Sequence, residues 1–422
     1  MTARERLRAV LEHRQADRLC VDIGAGPMSG MGASAVHRLR QALLGDHDGR
    51  VRVHEPYQML GEIDEALRQA LAVDVVGVHP PATMFGFRTD EGWKPLELMD
   101  GTPVLVPERF NITVESDGGW LIYPEGDLSA PPRGRMPPGG HFFDAIIYQE
   151  PILEDRLDPA DNCEEFQVLG DRDVCYLADT AREFAERTDY GIYLTFPGSG
   201  FGDIALVPAP WLRRPKGIRD VEEWYVSLVT RPDYVRAVFD RQLEVAVENL
   251  DRLAAALGDN VDVACVTGTD FGTQRGLFIS KETYRSLFKP YHVEINRRIH
   301  EKTNWKTFIH SCGSVFDLIP DFIEAGFDVL NPVQCSAERM DPATLKREFG
   351  SELVFWGGGV DTQRTLPFGT PDEVYRQVRE RIDVFFSDGT GFVFSAIHNI
   401  QSDVPTENLL ALVRALRDAR GL

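Results

Sequence analysis

The chain has 422 residues, 43% hydrophobic and 26% charged, with a formal net charge of −21 at pH 7. That balance suits a globular protein with ample material for a large core. A chain this acidic is not drawn to nucleic acid or to anionic membrane surfaces, and no run of 18 apolar residues marks a membrane-spanning helix.

The N-terminus reads as an amphipathic helix over 4–13, with Leu7, Val10 and Leu11 on one face and four arginines within the first 14 residues. It lacks the continuous apolar stretch of a secretory signal, so a cytoplasmic location is expected. Residues 1–70 are expected to be mostly helical, interrupted over 21–32 by a short strand and a Gly-rich turn. Residues 85–150 are rich in Pro, Gly and aromatics, with turn signals at Asp117-Gly118-Gly119 and Pro137-Pro138-Gly139-Gly140. They read as a β-rich insertion or lid on the same domain.

Beyond residue 160 short apolar segments alternate with helical ones. Expected strands are 72–78, 166–169, 191–196, 261–267, 306–311, 327–331, 352–357 and 391–396. Expected helices are 221–255, 280–301, 314–325, 341–349, 371–387 and 405–419. Near-continuous apolar strands followed by helices indicate a parallel sheet with covered faces. A strand count near eight favours a closed α/β barrel: one (β/α)8 TIM barrel over 1–422, with an N-terminal helical extension (1–70) and the β-rich insertion. No G-x-G-x-x-G follows a strand, and no Walker A motif is present.

The six cysteines, Cys20, Cys163, Cys175, Cys265, Cys312 and Cys335, are scattered without close pairing, which argues for buried or metal-binding thiols over a disulfide framework. In a barrel, chemistry collects where strands end. His310 and Cys312 stand two apart at such an end, so in extended backbone they point to one side, and Gly313 then lets the chain turn. An imidazole and a thiolate are ligands that zinc prefers; a catalytic zinc takes three protein ligands and keeps one position open. His398, directly off the last strand, is the preferred third ligand, and Cys335, further into its loop, is the alternative. A buried Cys beside a hydrogen-bonded His explains the same H-x-C spacing without metal.

Other polar groups converge on the same rim. Asp270 and Asp361 are the candidate catalytic carboxyls; Asp22, Gln274, Gln363, Asn399 and Gln401 are candidate substrate-binding groups. Each also suits a helix cap or a turn.

Several segments carry a family likeness: His310-Ser311-Cys312-Gly313, Gly326-Phe327-Asp328-Val329-Leu330-Asn331, Met340-Asp341-Pro342, Gly358-Gly359-Val360-Asp361-Thr362-Gln363, Gly369-Thr370-Pro371-Asp372-Glu373-Val374 and Pro405-Thr406-Glu407-Asn408. Together they resemble the uroporphyrinogen-decarboxylase superfamily, in its branch of corrinoid-dependent methyltransferases. The resemblance implies a barrel, a zinc ion on H-x-C plus a later cysteine, and a corrinoid (cobalamin) partner. The later position is His398 here. No D-x-H-x-x-G is present, so the corrinoid is expected on a separate protein.

The decarboxylase itself resembles the chain less well. Its basic R-Q-A-G-R segment compares with Arg14-Gln15-Ala16-Asp17-Arg18, where an acid replaces glycine. One thiolate and two histidines leave zinc at a formal charge of +1, a stronger Lewis acid than the neutral two-thiolate site. That favours an oxygen-bound substrate such as a methyl ether, with the methyl group passing to cobalt. Three alternatives stand beside it: a metal-free lyase acting on a cyclic carboxylate, a methylcobamide:thiol or folate methyltransferase, and a non-catalytic binding protein. Expected partners are a small methyl donor or acceptor and the corrinoid protein, and the chain is compatible with a homo-oligomer.

Overall fold

A computed structural model describes residues 1–422. Eight parallel strands form one sheet: β1 (Cys20–Val21), β2 (Val75–Val78), β3 (Gly191–Thr195), β4 (Val263–Thr267), β5 (Lys306–His310), β6 (Val329–Asn331), β7 (Val354–Trp356) and β8 (Phe392–Phe394). Pairing runs in chain order from β2 to β8, and β1 pairs with β8. The seam between β1 and β2 is closed by Asp74. Its N–H donates to the Val21 carbonyl, and its carboxylate accepts the Val21 N–H, both at 2.8 Å. The result is a (β/α)8 barrel.

One expected strand is not there. Residues 166–169 form a connection, and β1 completes the set of eight. Two residues of Cys-Val are too short to announce a barrel strand, and β1 is held by its partners rather than by its own pattern. The expected helix at 221–255 is two helices, Val221–Thr230 and Pro232–Leu257. Pro232 forces Arg231 out of the helical region, which breaks the run. A helix at Asp171–Arg187, not anticipated, covers the barrel between β2 and β3.

The N-terminal stretch is less helical than expected. Besides the helices Ala3–Leu11, Ala33–Leu44 and Glu65–Leu71 it contributes β1 and two strands, Val51–Glu55 and Leu60–Gly61. Those two strands join Trp93–Glu97 and Pro103–Pro107 in a four-stranded sheet. A second small sheet holds Ile112–Val114, Trp120–Ile122, Gly134–Met136 and Asp144–Ala145. The turn at Asp117-Gly118-Gly119 makes its first hairpin. Both sheets thus draw on the Pro- and Gly-rich stretch, and the first also on residues before β2. The first sheet is tied to the barrel at the loop after β1, where Gly61 N–H donates to the Met31 carbonyl at 2.8 Å and Ala33 N–H to that of Met59 at 2.9 Å, and the second reaches the loop after β3, where Arg133 Nη2 donates to the Pro208 carbonyl.

The helix Ala3–Leu11 plugs the other end. Leu7, Val10 and Leu11 are buried among inward-facing side chains of the strands, such as Val75, Val263 and Val354. An added Cβ on Gly191, the first residue of β3, would lie 2.3 Å from Leu7, so only glycine lets the plug seat. Arg4 and Arg8 reach Asp262, and Arg6 reaches Asp17 and Asp74. Residues 14–18 therefore precede β1 on the plugged face, and Asp17 serves Arg6 there. The segment compared above with the decarboxylase's basic motif thus lies at the end of the barrel opposite the strand ends that carry the site.

Above the plug the barrel is filled. Tyr193, Phe308 and Trp356 meet edge to face or tilted, with ring centroids 5.5–6.3 Å apart. Trp356 Nε1 donates to Asp22 Oδ2 at 2.8 Å. These aromatics make the floor beneath the strand ends.

Candidate functional site

The site begins where β5 ends. His310 and Cys312 lie on one side of the extended chain, with Sγ 3.4 Å from His310 Nε2. Two ligands on one tetrahedral zinc stand about 3.6 Å apart. Gly313 then takes φ +85°, and an added Cβ would come within 2.3 Å of the Gly272 carbonyl oxygen. The turn away from Cys312 therefore requires glycine.

His310 is buried, and its tautomer follows from a short chain of hydrogen bonds. Asn331, at the end of β6, donates Nδ2–H to the Trp356 carbonyl at 2.8 Å. A carbonyl only accepts, so Asn331 Oδ1 must be the atom facing His310 Nδ1, 2.6 Å away. The ring proton is then on Nδ1, and Nε2 offers a lone pair toward Cys312. Burial pushes the pKa of His310 down to about 4, so the ring is neutral.

His398 enters from the loop after β8. Its ring meets that of His310 edge on, with centroids 5.2 Å apart, and burial lowers its pKa to about 4. Asn399 N–H donates to His398 Nδ1 at 2.8 Å. Ligand atoms of His310, Cys312 and His398 all lie within 4.8 Å of one another, so these three can hold one metal ion. Cys335 is outside the group; its thiol turns to the Val333 carbonyl at 3.3 Å, and burial raises its pKa to about 11.

Asp270 adjoins the cluster. Its Oδ1 accepts the Cys312 N–H at 2.6 Å and lies 3.9 Å from His310 Nε2. Burial raises its pKa. Burial, with Asp270 nearby, also raises the Cys312 thiol. Asp22 is fully enclosed and pushed up to about 6 by burial, but both its oxygens are engaged, by Ala25 N–H and by Trp356.

The other sequence candidates are placed differently. Asp361 Oδ1 accepts the N–H groups of Gln363 and Arg364, which makes it a turn-former. Asn399 spends its amide on Gly30 N–H, the Pro27 carbonyl and Gln58 Oε1, tying the last loop to the first. Gln274 and Gln363 face each other at 3.5 Å on the exposed rim. Gln401 is half-buried in the loop of His398.

Several groups escaped the sequence reading. Asn331 orients His310. Asp203, in the loop after β3, is pushed up to about 6 by burial. Glu55, on a cap strand, is pushed up to about 7 by burial. His54 stacks on His79 at 6.0 Å, and His79 Nδ1 lies 2.8 Å from Thr195 Oγ1. A polar residue directly after a strand was a usable signal for His79. Glu55 and His54 sit in a segment that reads as helix, and nothing in the sequence aims them at the barrel.

The segment that carries His310, Cys312 and His398 finds its counterpart among known proteins. Residues 203–419, which hold all three, match the family model of uroporphyrinogen decarboxylase (URO-D). The chain belongs to that family. A methylated-thiol–coenzyme M methyltransferase of Methanosarcina mazei is 27% identical over 202 residues, 48% of each chain. The aligned region thus spans about half the length of that relative. A solved methyltransferase from Methanosarcina mazei superposes over 99% of both chains with a TM-score of 0.53 at 16% identity, a likeness of fold. No helix is long and apolar enough to cross a membrane.

Proposed function

We propose that this protein is a methyltransferase that moves a methyl group between a small O-methyl compound and the cobalt of a corrinoid carried by a separate protein. Zinc on His310, Cys312 and His398 is part of that reading, and the convergence of these three ligands within 4.8 Å is the observation that carries it. The donor set fits the ion: a neutral imidazole with its lone pair aimed inward, a thiol beside it and a second neutral imidazole, which would give up the Asn399 N–H at its Nδ1 in order to ligate. Bound there, zinc supplies a Lewis acid with net positive charge, suited to an ether oxygen.

The chain's own groups do the rest. Asn331 keeps the His310 proton on Nδ1 and so keeps Nε2 available. Asp270 has Oδ1 tied to the Cys312 N–H, and burial raises its pKa, the direction that suits a carboxyl giving a proton to the leaving alkoxide or phenoxide. Tyr193, Phe308 and Trp356 close the floor to water from below. The cap over 85–150 offers the surface for the corrinoid protein, and residues 1–422 act as one domain.

The family match and the name of the relative support methyl transfer in general. The relative also motivates a second reading, transfer to a thiol, against which the second histidine weighs. The test is a turnover assay with zinc-loaded protein, cob(I)alamin and a panel of methoxyarenes, following methylcobalamin by absorbance and the phenol by mass spectrometry. Methylcobalamin formed with equimolar phenol supports the reading. Methylation of simple thiols from methylcobalamin, with no methoxy compound consumed, would reverse it.

A further inference from the structure

Three successive amides lead the chain away from Cys312, and each donates to an acceptor outside the turn. Cys312 N–H reaches Asp270 Oδ1 at 2.6 Å, Gly313 N–H reaches Gln334 Oε1 at 2.7 Å, and Ser314 N–H reaches the Thr273 carbonyl at 2.7 Å. Asp270 and Thr273 belong to the loop after β4, and Gln334 to the loop after β6. The turn that carries the thiol is thus held from both neighbouring strands.

Gln334 is engaged at one end only. The residue is 6% exposed. A backbone N–H can only donate, so the carboxamide must present its oxygen to Gly313, which fixes Nε2 on the other branch. Nε2 makes no hydrogen bond within the protein, and it is not sealed off from solvent. The other buried amides of the strand-end loops use both ends: Asn331 between His310 and the Trp356 carbonyl, and Asn399 among Gly30, Pro27 and Gln58. One side of the turn is also closed. An added Cβ on Gly313 would stand 2.3 Å from the Gly272 carbonyl oxygen and 2.6 Å from that of Thr273. Glu338 N–H donates to the Gln274 carbonyl at 2.9 Å, so the loop after β4 lies across both the turn and the loop of Gln334.

A buried donor without a partner is costly, and a ligand that brings an acceptor recovers the loss. An ether, alkoxide or phenoxide oxygen is such an acceptor, whereas a thioether sulfur accepts weakly. We propose that Gln334 turns its free Nε2–H toward the barrel mouth beside His310 and Cys312 and donates to the substrate's oxygen, which makes it a specificity-determining residue for oxygen over sulfur. This rests on the methyl-transfer reading for the ether as substrate. The contact favours oxygen independently of the second histidine.

The test is calorimetric binding of 1,3-dimethoxybenzene and its sulfur analogue, 1,3-bis(methylthio)benzene, to the full-length protein, both metal-free and zinc-loaded. The ratio of ether to thioether affinity should fall about threefold to tenfold from the wild type to Gln334→Glu and to Gln334→Leu, the worth of one neutral hydrogen bond. Gln334→Glu keeps an acceptor for the Gly313 N–H and loses the donor, so hydrogen exchange at the Gly313 amide should stay as slow as in the wild type. In Gln334→Leu that exchange should quicken. A ratio unchanged in Gln334→Glu overturns the proposal, even where Gln334→Leu lowers it, because Gln334 then only holds the turn. No binding of either compound to the wild type overturns it as well. A ratio that falls in both variants, in a protein that transfers no methyl group, upholds the contact and counts against the proposed reaction instead.

Discussion

Asn331 holds His310 by a 2.6 Å hydrogen bond to Nδ1 while donating to the Trp356 carbonyl, so three neighbouring strands, β5, β6 and β7, fix one tautomer of one ring. Replacing Asn331 by Leu keeps roughly the same volume and removes both bonds. Zinc affinity should fall by about 10–100-fold, as for other outer-shell partners of metal-bound histidines. The barrel should survive with a loss of roughly 1–3 kcal/mol for the stranded ring N–H. Chelator competition and a urea melt read the two effects separately.

Zinc uptake should release one proton near neutral pH. Both histidines, lowered to about 4, are already neutral there, whereas burial holds the Cys312 thiol protonated. Affinity should therefore rise about tenfold per pH unit between pH 6 and 8. Below about pH 4 the histidines gain protons as well, and the slope steepens. Titration with zinc in buffers of different ionisation enthalpy counts the proton, and a flat profile from pH 6 to 8 would contradict the assignment of Cys312.

Asp74 closes the seam of the barrel and is itself enclosed with Arg6 and Arg420, each 2% exposed or less. Asp74→Ala leaves the buried Arg420 guanidinium without a carboxylate, leaves Arg6 with Asp17 alone, and removes the acceptor of the Val21 N–H. The expected loss is about 3–5 kcal/mol. It should appear as a lower denaturation midpoint with metal affinity little changed in the folded fraction, since the seam residue lies toward the plugged end.

Gly313→Ala combines a left-handed backbone with a Cβ 2.3 Å from the Gly272 carbonyl oxygen. It should cost roughly 1–3 kcal/mol in stability. Unlike the seam variant, it should also weaken zinc binding, because the relief of that clash moves Cys312. Comparing the two variants separates general destabilisation from displacement of the site.

The barrel and the cluster were legible for different reasons. Strands β3 to β8 are short apolar runs followed by helices, and that alternation reports a covered parallel sheet directly. His310, Cys312 and His398 were found because a polar residue straight off an apolar strand is conspicuous. β1 was missed as a barrel strand because its two residues take their conformation from pairing with β8 and from Asp74. Asp361 and Asn399 were ranked as site groups on position alone. Their hydrogen bonds, to a local turn and to the first loop, depend on partners that no spacing reveals. Glu55 and His54 were invisible because the strand that carries them pairs with residues 103–107, some 50 positions away.

The most direct test of the metal assignment is elemental analysis of the purified protein, alone and after exposure to zinc, together with Cys312→Ala and His398→Ala. One zinc per chain is expected, lost in both variants while their circular dichroism is unchanged. A native protein that holds no zinc and takes none up on reconstitution would contradict it.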